Sequence, residues 1–185
     1  MELTDAVISV LKALDACAIP YMIVGAFSSN AYGIERSTKD VDLVIELGEA
    51  SILRIAEYLP AGIRIDPQMT FETVMMSRRY VANIDGTPFQ VEFFLLGNDP
   101  HDLERFRRKR KTDFVENRPV FYPTPEDVII TKLRWARSRD LDDVRDVIAV
   151  QDFEGRLDWD YIHSWTERHG TREQLDAIRR SIPPI

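Results

Sequence analysis

The chain has 185 residues, 44% of them hydrophobic, with 31 acidic against 24 basic side chains and a formal net charge of -7; this suits one sizeable core with a small helical appendage. The acidic balance excludes broad, non-specific coating of nucleic acid, which needs positive charge to displace counterions. Cys17 is the only cysteine and His101, His163 and His169 are widely spaced, which excludes an intrachain disulfide and disfavours a zinc centre.

Glu2 and Asp5 stand where a secretion signal would be basic, and no apolar run is long enough to cross a bilayer, so a soluble cytoplasmic protein without membrane partners is expected. Leu3, Val7, Val10, Leu11 and Leu14 recur at helical spacing, predicting a helix that ends before Pro20, with Cys17 a small buried apolar residue. Tyr21 to Val24 reads as a buried strand stopping at Gly25, and Ala26 to Tyr32 as a short helix ended by Gly33. Asp40 to Ile45 is a β-rich run; as a strand it projects Asp40 and Asp42 from one face and Val41 and Leu43 from the other.

Ser51 to Tyr58 reads as a helix. Ile63 to Ile65 and Phe71 to Met76 read as separate segments broken by Pro67, and Arg79–Ile84 with Pro88–Leu96 as a hairpin around Asp85-Gly86. A helix from Asp99 or Pro100 is expected to carry the basic run Arg105, Arg107, Arg108, Lys109, Arg110 and Lys111, with Phe106 packed inwards. Pro119 to Pro125 reads as a connector, followed by helices from Glu126 to Arg137, Asp140 to Val150, Trp159 to Arg168 and Arg172 to Arg180. The chain thus divides into a mixed α/β part, 1–118, and a helical lobe, 119–185, in which Trp135, Trp159 and Trp165 serve packing.

Two same-face carboxylates repel unless a proton or cation lies between them, and Mg²⁺ prefers hard oxygens shared with substrate phosphates. Asp40 and Asp42 are therefore candidate ligands of Mg²⁺ or Mn²⁺, and Glu92, a charge in an otherwise apolar strand, is the candidate third carboxylate. The bland alternative is a solvated Asp-X-Asp edge with Glu92 paired to an arginine. The turn at Gly25 and Ala26, entering a helix, can present amides to phosphate oxygens, with the Ser28 hydroxyl either an added donor or an ordinary helix serine.

The combination Tyr21 to Ala26, Tyr32-Gly33, Arg36, Thr38 and Asp40-Val41-Asp42 resembles the nucleotidyltransferase superfamily with the polymerase-β-like fold, and most nearly its small bacterial branch related to abortive-infection toxins. The resemblance implies an α/β (α+β) core with a mixed sheet and a C-terminal helical lobe, and an NTP substrate. It gives Gly25 and Ala26 the phosphate turn, Asp40, Asp42 and Glu92 the metal, and Arg36 and Thr38 the positioning of the loop or a phosphate. Pro123 to Leu133 and Arg139 to Asp143 resemble the first tail helices of that branch, where Lys132 would face the nucleotide phosphates and Asp140 would brace the lobe. Two positions depart from the pattern: Ala26 replaces the usual glycine or serine, and Glu92 is one methylene longer than the usual aspartate.

The expected activity is Mg²⁺-dependent transfer of a nucleoside monophosphate from an NTP to a hydroxyl acceptor (an RNA end, a protein side chain or a small molecule), with release of pyrophosphate. The basic run would offer phosphate contacts to RNA or remain a solvated helix face. The alternatives are a catalytically weak or inactive nucleotide-binding or regulatory module, as in a toxin–antitoxin pair with a cognate antitoxin protein, and a purely structural interaction protein.

Overall fold

The computed structural model describes residues 2–113, 118–153 and 155–183. A helix, α1 (Leu3–Ala16), buries Ala6, Val7, Val10, Leu11, Ala13 and Leu14 along one stripe. The chain then enters β1 (Tyr21–Val24), whose four residues are all buried, and passes directly into α2 (Gly25–Tyr32). β2 (Asp40–Ile45), the single helical turn α3 (Leu53–Ala56), β3 (Ile63–Glu72), β4 (Ser77–Ile84) and β5 (Gln90–Leu95) complete the core.

The strands form one mixed sheet in the order β1-β2-β5-β4-β3, with β2 and β5 parallel and the other neighbours antiparallel. Period-2 alternation separates its faces. Ile23, Val41, Leu43, Ile45, Ala82, Val91 and Phe93 share the main core with α1. Met22, Val24 and Val44 belong to a smaller cluster with Phe106, against which Phe94 packs, and it is on this second face that the acidic positions of β2 and β5 emerge.

After the core come α4 (Pro100–Arg108), β6 (Arg110–Asp113) and β7 (Pro119–Tyr122), then α5 (Pro125–Trp135), α6 (Ser138–Asp152), α7 (Trp159–His169) and α8 (Arg172–Ser181). The last four helices enclose their own apolar cluster, centred on Ile129, Ile130, Leu133, Val144, Val147 and Ile162. The architecture is thus the mixed α/β sheet with a C-terminal helical lobe that the sequence leads one to expect. Tyr32 joins the two parts, its hydroxyl donating to the Pro123 carbonyl at 2.8 Å while its own carbonyl accepts from Gln151 Nε2 at 2.8 Å. Gly33 lies so close to α6 that a Cβ there would meet the Val147 nitrogen at 3.1 Å.

Four local expectations are corrected. Pro67 does not end a strand: β3 runs through it on the sheet edge, where the missing N–H costs no ladder bond, and pairing with β4 shifts between Asp66 and Thr70. The helix expected over residues 51–58 is helical only over Leu53–Ala56. The basic run does not stay on one helix, because α4 ends at Arg108 and Arg110 and Lys111 lie in β6, paired with Tyr122 and Phe121 of β7. For the same reason residues 119–122 are a strand rather than part of a connector: Val120 and Tyr122 supply buried alternate positions that dock on the main core. The basic residues 105–111 therefore present no common face.

Candidate active site

Parallel pairing of β2 and β5 places Asp42 directly opposite Glu92 and Asp40 opposite Gln90, while Val24 lies opposite Asp42 from β1. Asp40, Asp42 and Glu92 consequently share one sheet face and line a cleft of about 420 Å³ between that face and α5. Gly25, Ala26, Ser28, Arg36, Thr38 and Lys132 line the same cleft.

The turn is shaped by Gly25. Its φ of 64° lies in the left-handed region, and a Cβ built on it would stand 1.8 Å from Asp42 Oδ2. Helix α2 begins there with no side chain capping its first amides. Ser28 Oγ donates to the Gly25 carbonyl at 2.9 Å, and Ser29 Oγ to the same oxygen at 3.2 Å, so both hydroxyls are turned back onto the helix. Phe27, the bulky neighbour of the turn, packs against the main core and leaves the cleft open; Ala26 is buried at its edge.

Thr38 Oγ1 donates to the Asp40 carbonyl at 3.0 Å and accepts from the Asp40 amide at 3.3 Å, a local clasp that starts β2. Arg36 is tied by its amide to Asn30 Oδ1 at 3.1 Å and by its guanidinium to both oxygens of Asp143, at 2.7 and 2.9 Å. Lys132 Nζ reaches Asp140 Oδ1 at 3.0 Å and Asp143 Oδ2 at 2.7 Å, and Arg137 Nε donates to Asp140 Oδ2 at 2.6 Å. Three cations and two carboxylates thus form a brace of net charge +1 between the loop after α2 and helices α5 and α6. Burial alone would raise the carboxyls of Asp140 and Asp143, but Arg137 and Lys132 on the first and Arg36 and Lys132 on the second hold both below the usual range. Lys132 reaches the cleft wall with its charge already shared by two aspartates.

Asp42 behaves in the opposite sense. Burial first, then the like charges of Glu92 and Asp40, push its carboxyl up to about 6, against the opposing pull of Lys132 and Arg137. Neither Asp40 nor Asp42 has a hydrogen-bond or ion-pair partner for its carboxylate among the described residues. Glu92 has one: Arg79 Nη1 donates to its Oε2 at 2.6 Å. Among the described residues no group of three or more His, Cys, Asp or Glu side chains stands ready to hold a metal ion, and Glu92 is engaged by Arg79 of β4. The donor set nevertheless suits a hard divalent cation: two aspartate carboxylates without ion-pair partners on one sheet face, of which the buried Asp42 has its carboxyl raised.

Of the basic run, Arg105 lies buried beside Asp102 at 2.9 Å, and Arg107 grips Glu104 at 2.7 Å. Arg108 stacks 3.9 Å over Tyr161, and Lys109 lies 3.8 Å over Phe106. Beneath them Asp127 accepts from Tyr161 Oη at 2.7 Å and from Thr124 Oγ1 at 2.8 Å and contacts His101 Nε2 at 3.2 Å, joining α4 to α5 and α7. Sequence reasoning missed Arg79, Trp135, Arg137 and Arg139 as cleft residues. Arg79 was within reach, because the Asp85-Gly86 hairpin sets Val81 opposite Glu92 and Arg79 one diagonal step away.

With this geometry in place, one comparison decides the family. The model of the family described as nucleotidyl transferase of unknown function (DUF2204) matches residues 3–182. The chain belongs to that family. Its fold is that of the polymerase-β-like nucleotidyltransferases. ANT(2")-Ia in complex with adenylyl-2"-tobramycin aligns with a TM-score of 0.60 at 14% identity, over 90% of this chain and 96% of that one. The solution structure of the antibiotic-resistance factor ANT(2'')-Ia aligns with 0.58 at 16%, over 98% of each chain. A putative nucleotidyltransferase from H. pylori aligns with 0.53 at 16%, over 95% of this chain and 78% of its own. No curated protein sequence matches this chain. Among the described residues no helix of this nucleotidyl transferase family member is long and apolar enough to cross a membrane.

Proposed function

We propose that the protein is a divalent-cation-dependent nucleotidyltransferase that moves a nucleoside monophosphate from an NTP to the hydroxyl of a small molecule. The observation that carries this reading is the register of Asp42 with Glu92 across β2 and β5, beside a glycine whose missing Cβ makes room for the Asp42 carboxylate. Asp40, Asp42 and Glu92 would hold Mg²⁺ or Mn²⁺, which neutralises the triphosphate and the pyrophosphate leaving group. The first amides of α2, at Gly25 and Ala26, receive phosphate oxygens. The acceptor oxygen attacks the α-phosphorus, the bond to the bridging oxygen breaks, and Glu92 takes the acceptor's proton. The brace of Arg36, Lys132 and Arg137 sets a positive wall against the developing charge while Asp140 anchors it.

A small acceptor is favoured over an RNA end because the basic residues of α4 and β6 are divided among internal partners and two elements. The experiment is transfer of label from α-labelled NTPs, with Mg²⁺, to a panel of small hydroxyl compounds, RNA ends and proteins, for wild type and Asp42→Asn. Tobramycin belongs in the panel because ANT(2")-Ia, which shares the fold, binds its adenylyl derivative. Transfer abolished by the substitution supports the enzyme.

The second reading, a nucleotide-binding module, draws support from the Arg79–Glu92 pair, which already engages the third carboxylate with a guanidinium. In a toxin–antitoxin setting, the branch suggested by residues 25–42, such a module would work through a cognate protein in the cytoplasm. NTP binding without transfer to any acceptor favours it.

A further inference from the structure

Arg79 and Glu92 are diagonal neighbours on the cleft face of β4 and β5, with side chains 33% and 16% exposed and Nη1 2.6 Å from Oε2. Arg79 has supports of its own. Its Nε donates to Thr70 Oγ1 of β3 at 3.3 Å, and its guanidinium stands 5.9 Å from the Phe94 ring centroid. Loss of Glu92 would therefore leave the guanidinium in place over the cleft. The neighbouring Asp40 and Asp42 carboxylates, by contrast, lack cationic partners of their own among the described residues.

We infer that Arg79 is a positioning residue, a latch on Glu92 that a divalent cation must displace and that then presents its guanidinium to the polyphosphate. The inference rests on the proposed cation site at Asp40, Asp42 and Glu92. A guanidinium and a divalent cation compete for one carboxylate, and their mutual repulsion across a partly buried face raises the energy of holding both. The freed guanidinium is a planar two-pronged donor, suited to phosphate oxygens. Cation and triphosphate thus bind synergistically, and the cation alone binds weakly.

The test measures binding of Mn²⁺ alone by electron paramagnetic resonance, then binding of ATP at saturating Mn²⁺, for wild type, Arg79→Met, Glu92→Gln and the double variant. The latch requires Arg79→Met to bind Mn²⁺ roughly three- to tenfold tighter and ATP on the order of tenfold weaker. In the Glu92→Gln background, Arg79→Met should tighten Mn²⁺ binding by clearly less than it does in the wild-type background, because only the repulsion between the two cations is then relieved and no carboxylate is contested; an equal gain in both backgrounds overturns the latch. A cross-strand tie with no other role predicts that Arg79→Met weakens both ligands or neither, which overturns the latch. If Glu92→Gln by itself leaves Mn²⁺ affinity untouched, the assignment of Glu92 to the cation site fails instead. Arg79→Lys, which keeps the charge and loses the fork, should show the same ordering in smaller steps and serves if Arg79→Met does not fold.

Discussion

Asp42 Oδ2 occupies the space that any side chain at position 25 would need, 1.8 Å from where a Cβ would stand on Gly25. The turn and the carboxylate are therefore one unit: β1 carries Gly25 past Asp42 because Val24 pairs with Asp42 in register, and the left-handed φ of Gly25 lets α2 begin at once.

Gly25→Ala should accordingly fail twice. The left-handed backbone costs an alanine about 1 to 2 kcal/mol, and its methyl must also displace the Asp42 carboxylate. The expected outcome in urea denaturation is a loss of at least that size, together with loss of divalent-cation binding by the chains that remain folded.

Asp42 makes stability depend on pH in an unusual direction for an aspartate. Its folded value of about 6 exceeds the ordinary 3.8, so between those values the folded chain binds more protons than the unfolded one. Stability from this group is fully present below about pH 4 and is lost as pH rises to about 6, a difference of roughly 3 kcal/mol. Asp42→Asn should therefore raise the melting temperature at pH 8, match wild type near pH 4, and abolish transfer. Mg²⁺ should stabilise wild type at pH 8 and lose that effect in the variant.

Lys132 holds two buried aspartates at once. Lys132→Met leaves Asp140 and Asp143 with only Arg137 and Arg36, and is expected to cost about 3 kcal/mol in chemical denaturation. A lysine serving phosphates alone would instead change nucleotide affinity and leave the denaturation midpoint in place.

His169 should supply a separate acid sensitivity of the helical lobe. Burial first, then Arg134 and His101, lower its value from 6.5 to about 4, so the folded chain resists taking up this proton. Its contribution is intact above about pH 6.5 and is lost as pH falls towards 4. Thermal melts of His169→Gln should show a shallower fall over that interval than wild type.

Much of this molecule is legible in its residues taken in order. The helical stripe of α1, the buried run of β1, the Gly25 stop and the alternation through Asp40-Val41-Asp42 are local patterns, each governed by side-chain period or by a backbone that only glycine tolerates comfortably. The Asp85-Gly86 hairpin and the tail helices follow from the same kinds of signal. Where local patterns misled, a distant partner had overruled them: Pro67 is harmless because β3 is an edge, and residues 110–113 pair with 119–122 instead of extending α4.

The sequence alone determined which groups the chain owns: two aspartates on one strand face, a glycine turn before them and a lone acid further on. How those charges are disposed followed from contacts between distant strands and helices. Parallel pairing of β2 with β5 brought Glu92 opposite Asp42, the Arg79 guanidinium claimed Glu92, and Asp140 with Asp143 claimed Lys132. The physical reason is that a side chain's type is local, whereas its charge partner, its burial and hence its affinity for a proton or a cation depend on strands and helices far apart in the chain.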